Sequence, residues 1–171
     1  FRSNMVGFEP LYVVDRRPEL IQAAVSQFSD LYQNRLRQYV INDHVQPPTE
    51  FMTRLPDGQF GLVFAYNYFN FVPIQVMASY FRELWRKMRL GGSLLFTYND
   101  ADREEGAGAA ESLFMCYTPR SRVIEEAKNV GFEVIKDEHC ANGVSWLELR
   151  KPGPIQSNRG SQVVARILRK P

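Results

Sequence analysis

The feature that most restricts the fold of this chain is a series of short apolar runs, each closing on polar residues and separated by helix-length segments. Leu11-Tyr12-Val13-Val14 stops at Asp15, and Tyr39-Val40-Ile41 stops at Asn42-Asp43. Phe60 to Ala65 stops before Tyr66-Asn67, and Ser93 to Tyr98 stops at Asn99-Asp100. Continuous rather than alternating runs suit strands buried on both faces of a parallel sheet.

The intervening segments have helical spacing. Pro18 opens a stretch with Ile21, Ala24, Val25, Phe28, Leu31 and Tyr32 at three-to-four-residue intervals, and Val76, Tyr80, Leu84 and Met88 share one face of a helix from about Gln75 to Met88. Pro47-Pro48 and Pro56-Asp57-Gly58 interrupt regular structure. Gly91-Gly92 marks the turn into the fourth run, and the acidic, glycine-rich stretch Asp100 to Glu111 reads as an exposed loop. Thr118-Pro119 supplies an N-cap and first turn for a helix that Gly131 closes. Phe132–Ile135 and Val144–Leu149 then form two strands about a turn at Ala141-Asn142-Gly143. The pattern predicts an α/β fold: a mostly parallel sheet, helices on both faces and a C-terminal antiparallel hairpin. Val14, Val63, Leu94, Phe96, Phe132 and Trp146 are its expected core.

Composition excludes several classes. At 44% hydrophobic and 23% charged, the chain reads as an ordinary globular protein. It has no apolar run of the ~18 residues that a membrane span needs, and Phe1-Arg2-Ser3-Asn4 has no signal-peptide layout. Cys116 and Cys140 make neither a disulfide framework nor, with the distant His44 and His139, a metal site. A reducing cytoplasm is the expected compartment. Residues 1–153 are expected to form the domain and 154–171 a basic tail. Lys151, Arg159, Arg166, Arg169 and Lys170 give 151–171 a charge of +5 with no acid, in a chain of net +2. Within it, Gln162 to Lys170 is read as a short helix with Val163, Val164, Ile167 and Leu168 apolar.

Five segments together resemble the class I S-adenosylmethionine-dependent methyltransferases. They are Tyr12-Val13-Val14-Asp15, Tyr39 to Asp43, Asp57 to Phe64, Leu90-Gly91-Gly92-Ser93-Leu94-Leu95-Phe96, and Gly131-Phe132-Glu133-Val134-Ile135. The resemblance covers about residues 8–153 and implies a Rossmann-like sheet. It also implies S-adenosylmethionine as the cofactor. Asp15 then matches the acid that accepts the ribose hydroxyls, and Asn42-Asp43 the residues that meet adenine. Ala65, Tyr66 and Asn67 match the strand end where cofactor and methyl acceptor come together, and Asn99-Asp100 would face the same crevice. Structural alternatives stand beside these roles: Asp15 as the cap of the next helix, Asp43 as a turn residue, and Tyr66 within an aromatic cluster with Tyr68, Phe69 and Phe71. No residue marks itself as a catalytic base, and Cys116 has no flanking base or positive charge that would activate a thiol.

The chain also departs from the family. Gly61 stands where a carboxylate is common, and Phe71 where histidine is. The glycine-rich cofactor loop normally lies roughly 20 residues before the ribose-binding acid, and counting back from Asp15 runs off the chain. The resemblance therefore implies a domain without its first, central strand at the N-terminal side, and weak or absent cofactor binding by these residues alone. Upstream sequence or another chain fills the gap, or the fold closes it by rearrangement, with Leu11–Val14 pairing directly with Phe60–Ala65 where nothing outside these residues fills it. Two functions follow. One is a methyltransferase domain fragment acting on an unknown acceptor. The other is a non-catalytic methyltransferase-like module in a larger assembly, a viral structural protein being one setting, with the tail 151–171 offered to nucleic acid or an acidic protein partner. A nicotinamide-dependent oxidoreductase is the weaker third option, because the chain has no Tyr-x-x-x-Lys pair.

Overall fold

The structure, a computed structural model, describes residues 8–41, 47–140, 143–153 and 161–166. In chain order the elements are β1 (Phe8–Asp15), α1 (Pro18–Val25), α2 (Asp30–Gln33), β2 (Leu36–Val40), α3 (Pro48–Phe51), β3 (Phe60–Ala65), α4 (Ile74–Lys87), β4 (Met88–Asn99), α5 (Glu104–Ser112), α6 (Arg120–Val130), β5 (Glu133–His139), β6 (Val144–Arg150) and β7 (Ser161–Arg166). The strands form one sheet in the order β2-β1-β7-β3-β4-β6-β5. Five of them, β2, β1, β7, β3 and β4, run parallel, whereas β6 is antiparallel to both β4 and β5. The expected α/β sheet with a closing antiparallel hairpin is therefore present.

Helices cover both faces because the buried strands are apolar on both. Leu11 and Val13 of β1 pack with Ile21 and Val25 of α1 on one side. Tyr12 and Val14 join a larger core on the other, where Phe51, Phe81, Leu84, Val123 and Ala127 bring in α3, α4 and α6. Phe96 is fully buried at its centre, edge-on to Phe69 with ring centroids 5.2 Å apart. Phe132 meets Trp85 edge-on at 4.9 Å. Gly131 ends α6 at φ +108°, where a side chain would be strained and its Cβ would press on the Trp85 ring.

Five expectations are corrected. The stretch from Asp100 to Glu111 is not a loop: α5 forms over Glu104–Ser112, with two acids in its first turn and Gly106 and Ala109 buried against the sheet. The helix begun at Pro18 does not run on to Tyr32 but stops at Val25, and α2 starts afresh at Asp30. Pro119 itself is the N-cap of α6, one position later than expected, and no side chain caps that end. Trp146 is half-buried rather than core, because its strand alternates and it faces away from buried Leu147 and Leu149.

The largest correction concerns Gln162 to Lys170. Ser161–Arg166 is a strand, not part of a helix, and it lies between β1 and β3, parallel to both. Val164 pairs with Tyr12 on one side and Val63 on the other. Adjacent β-branched residues favour a strand, and two inner strands left unpaired would strand buried N–H and C=O groups. The space between Leu11–Val14 and Phe60–Ala65 is thus filled neither by direct pairing nor from outside the chain but by rearrangement within it. The chain's own residues fill it.

Candidate functional site at the carboxyl ends of the parallel strands

All five parallel strands finish at one edge of the sheet, and the polar residues that close the apolar runs collect there. Asp15 ends β1 and is only 5% exposed. One of its oxygens, Oδ1, accepts from the backbone N–H of Arg17 at 2.9 Å, and its carbonyl accepts from Ile41 N at 3.0 Å. Among the described residues its second carboxylate oxygen, Oδ2, accepts no hydrogen bond. The carboxylate is therefore held by the turn that follows β1.

Ala65 is buried at the end of β3, and Tyr66 beyond it is 40% exposed. The Tyr66 ring stacks on Trp146 of β6. Asn67 takes the left-handed conformation at φ 54°, which asparagine tolerates better than most residues. Its backbone N–H donates to Thr97 Oγ1 at 2.7 Å, and its side-chain oxygen accepts from Asn70 Nδ2 at 2.7 Å. These bonds turn the chain sharply at the strand end. Asn42, Asp43 and His44 lie outside the described residues.

The same edge continues across β4. Asn99 Nδ2 donates to the carbonyls of Gly106, at 2.8 Å, and Cys116, at 3.1 Å, while Cys116 N donates to the Asn70 carbonyl at 2.7 Å. Asn70 and Asn99 thus tie the segment after α5 to the sheet. Both are almost fully buried, and among the described residues each keeps a side-chain oxygen without a partner. Asp100 beside them accepts from Asp102 N at 3.2 Å and from Ser145 Oγ at 3.4 Å, and Ser145 also bonds His139 Nδ1 at 3.0 Å. Burial, and then the Asp100 charge, push the Tyr98 phenol well above its usual range. Burial also raises the Cys116 thiol, which keeps it protonated and unreactive. Asn70 and Thr97 were not singled out in the sequence. An asparagine inside the aromatic run Tyr68-Phe69-Asn70-Phe71 was the available signal.

On the α3–α4 side, an apolar cavity of about 40 Å³ is lined by Val14, Ile41, Met52, Ala65, Tyr68 and Tyr80, among others. It has room for a few waters at ~10–15 Å³ each, too little for a nucleoside, which would lie across the strand ends instead. A buried strand-end carboxylate such as Asp15 has the acceptor chemistry that a ribose diol suits. No group of three or more His, Cys, Asp or Glu among them could hold a metal ion, and no described helix is long and apolar enough to cross a membrane.

No protein-family model matches the chain, and no curated protein does. Solved structures do. A protein from Bordetella parapertussis superposes over 89% of this chain with a TM-score of 0.60 at 11% identity. An S-adenosylmethionine-dependent methyltransferase from Mesorhizobium loti superposes over 85% with a TM-score of 0.61 at 10% identity, and 92% of its own length is covered. The N-methyltransferase NodS from Bradyrhizobium japonicum, bound to S-adenosyl-L-homocysteine, superposes over 83% with a TM-score of 0.57 at 11% identity. This chain spans 66% of the Bordetella and Bradyrhizobium chains. The fold is the Rossmann-like fold of the class I S-adenosylmethionine-dependent methyltransferases.

Proposed function

We propose that this chain is part of an S-adenosylmethionine-dependent methyltransferase, holding the adenosine half of the cofactor through Asp15 and presenting a methyl acceptor to Tyr66 and Asn67. The observation that carries the reading is Asp15. It is a buried carboxylate fixed by Arg17 N at the end of the strand beside the sheet's central strand, and among the described residues its other oxygen accepts no hydrogen bond. A ribose diol is the ligand group that such an acceptor suits. Asn42 and Asp43 follow the neighbouring strand and would meet the base. The cofactor supplies an already activated methyl group, so the protein's task is chiefly orientation. The left-handed turn at Asn67 and the Tyr66–Trp146 stack fix the wall against which an acceptor would lie.

One observation favours a second reading, a non-catalytic module in a larger assembly. Gly61 stands in β3 where the methyltransferases that this chain resembles commonly carry a carboxylate. In that reading the cations Arg169 and Lys170 contact an acidic partner. Calorimetric titration with adenosine, S-adenosylmethionine and S-adenosyl-L-homocysteine separates the two. Weak, saturable binding that Asp15→Ala removes supports the first; no binding of any of the three supports the second.

A further inference from the structure

Between α5 and α6 the chain turns large apolar side chains outward. Leu113 is 58% exposed, Phe114 89% and Tyr117 64%, all within five positions. Single exposed hydrophobic residues are ordinary, but a cluster of them marks a surface that something covers. Phe114 also takes φ 55°, a left-handed conformation that bulky residues rarely adopt.

The segment is anchored from beneath. Leu113 N donates to the Ala109 carbonyl at 2.9 Å, and Cys116 N to the Asn70 carbonyl at 2.7 Å. Asn99 Nδ2 reaches the Cys116 carbonyl at 3.1 Å, and Ala101 N donates to the carbonyl of fully buried Thr118 at 3.1 Å. A backbone fixed in this way presents its side chains without a further ordering cost on binding.

The charge beside these residues is negative. Glu104, Glu105 and Glu111 of α5 are exposed, and among the described residues none of the three takes part in an ion pair. Glu104 and Glu111 lie two turns apart on one face of α5. Between them is Gly108, where even a Cβ would meet nothing within 4 Å, so the approach is open. Such a rim repels nucleic acid and anionic membranes. It also disfavours a second copy, because a two-fold contact would set these acids against themselves. Two aromatic side chains of ~150–250 Å² each fall short of the ~800 Å² per partner of a standard interface. A short polypeptide segment suits a patch of this size.

We propose that Leu113, Phe114 and Tyr117, rimmed by Glu104, Glu105 and Glu111, dock a protein segment that carries Lys or Arg beside apolar side chains. Its apolar groups cover Leu113 and Phe114. Its cations meet the α5 carboxylates and lie over the Phe114 and Tyr117 rings. The surface is independent of whether Asp15 holds a cofactor.

The full chain is titrated, by fluorescence anisotropy, with three labelled peptides: one of Arg, Leu and Gly, one with Glu in place of every Arg, and one with Ser in place of every Leu. The first should bind saturably and lose affinity as salt rises. The other two should bind roughly 10-fold or more weakly. Phe114→Asn removes the ring but keeps the left-handed turn, which asparagine tolerates, and should weaken the first peptide roughly 10-fold. Tyr117→Ser, and Glu104→Lys combined with Glu111→Lys, should each weaken it too. Leu31→Ser, at a similarly exposed leucine of α2, should not. No binding of the first peptide, equal binding of the acidic one, or unchanged affinity in both Phe114→Asn and Tyr117→Ser would each overturn the proposal. So would sedimentation showing dimers of the full chain that Phe114→Asn dissociates, since the occupant would then be a second copy.

Discussion

Tyr66 and Trp146 stack with ring centroids 5.6 Å apart and planes 24° from parallel, although β4 separates the strands that carry them. Phe64 stacks on the same Trp146 ring at 5.9 Å. The tryptophan therefore supports the candidate site from the half-buried face instead of filling the main core. A double-mutant cycle with Tyr66→Ala and Trp146→Ala should give a coupling of about 0.5–1.5 kcal/mol in urea unfolding. Phe96→Ala, in the main core, should cost more, about 3–5 kcal/mol. Zero coupling together with a Trp146→Ala cost as large as that of Phe96→Ala would contradict this placement.

Asp15 should matter to ligand more than to fold. Asp15→Ala is expected to weaken adenosine and S-adenosyl-L-homocysteine binding by roughly 10–100-fold, the worth of hydrogen bonds to a charged group. The unfolding midpoint should shift only modestly, because among the described residues the one side-chain bond lost is that from Arg17 N. Equal affinities for the two proteins would remove Asp15 from the site.

Lys87 is almost fully buried and donates to the Leu55 carbonyl at 2.9 Å and to Asp57 Oδ1 at 2.5 Å. Lys87→Met leaves that carbonyl without its donor and should cost about 1–3 kcal/mol at neutral pH. The Lys87 hydrogen bond holds the Asp57 carboxyl below its usual range, helped by the Lys87 and Arg86 charges. The folded state therefore binds this proton less readily than the unfolded chain. Asp57 stabilises the fold fully above the unfolded value of ~3.9, and that contribution is lost as pH falls through the lower folded value. The stability gap between wild type and Asp57→Asn should thus be constant near neutrality and close below about pH 4. A gap that widens on acidification would reverse the assignment.

Two glycines of α5 should respond oppositely to alanine. A Cβ at Gly106 would lie 1.9 Å from the Asp100 carbonyl oxygen, whereas one at Gly108 would meet nothing within 4 Å. Gly106→Ala should cost about 3 kcal/mol and disturb Asn99, which bonds the Gly106 carbonyl. Gly108→Ala should stabilise by roughly 0.5–1 kcal/mol through helix propensity. Thermal unfolding of the two variants reads both signs.

The apolar runs made most strands legible in advance because a strand buried on both faces has little choice of residue. β1, β3 and β4 lie where continuous runs end at Asp15, Ala65 and Asn99, and β6 follows the turn at Ala141-Asn142-Gly143. α5 was missed because alanine and glycine carry no periodic signal, and its helix depends on Gly106 fitting under Asp100. At the candidate site the strand-end residues Asp15, Ala65, Tyr66 and Asn67 could be named from sequence. Asn70 and Thr97 could not, since their roles come from bonds to Asn67 across the turn and the neighbouring strand.

By itself, then, the sequence determined the α/β class, the strand ends that gather polar residues at one edge, and the closing antiparallel hairpin. These follow from local periodicity and turn chemistry, which act over a few residues. Only the tertiary structure decided what Ser161–Arg166 does. A short run such as Val163-Val164-Ala165 is compatible with helix or strand, and nothing beside it in the chain settles the choice. The unpaired edges of Leu11–Val13 and Leu62–Ala65 settle it. Those edges lie roughly 150 and 100 residues upstream, respectively, and can satisfy their buried backbone groups only by taking in a strand.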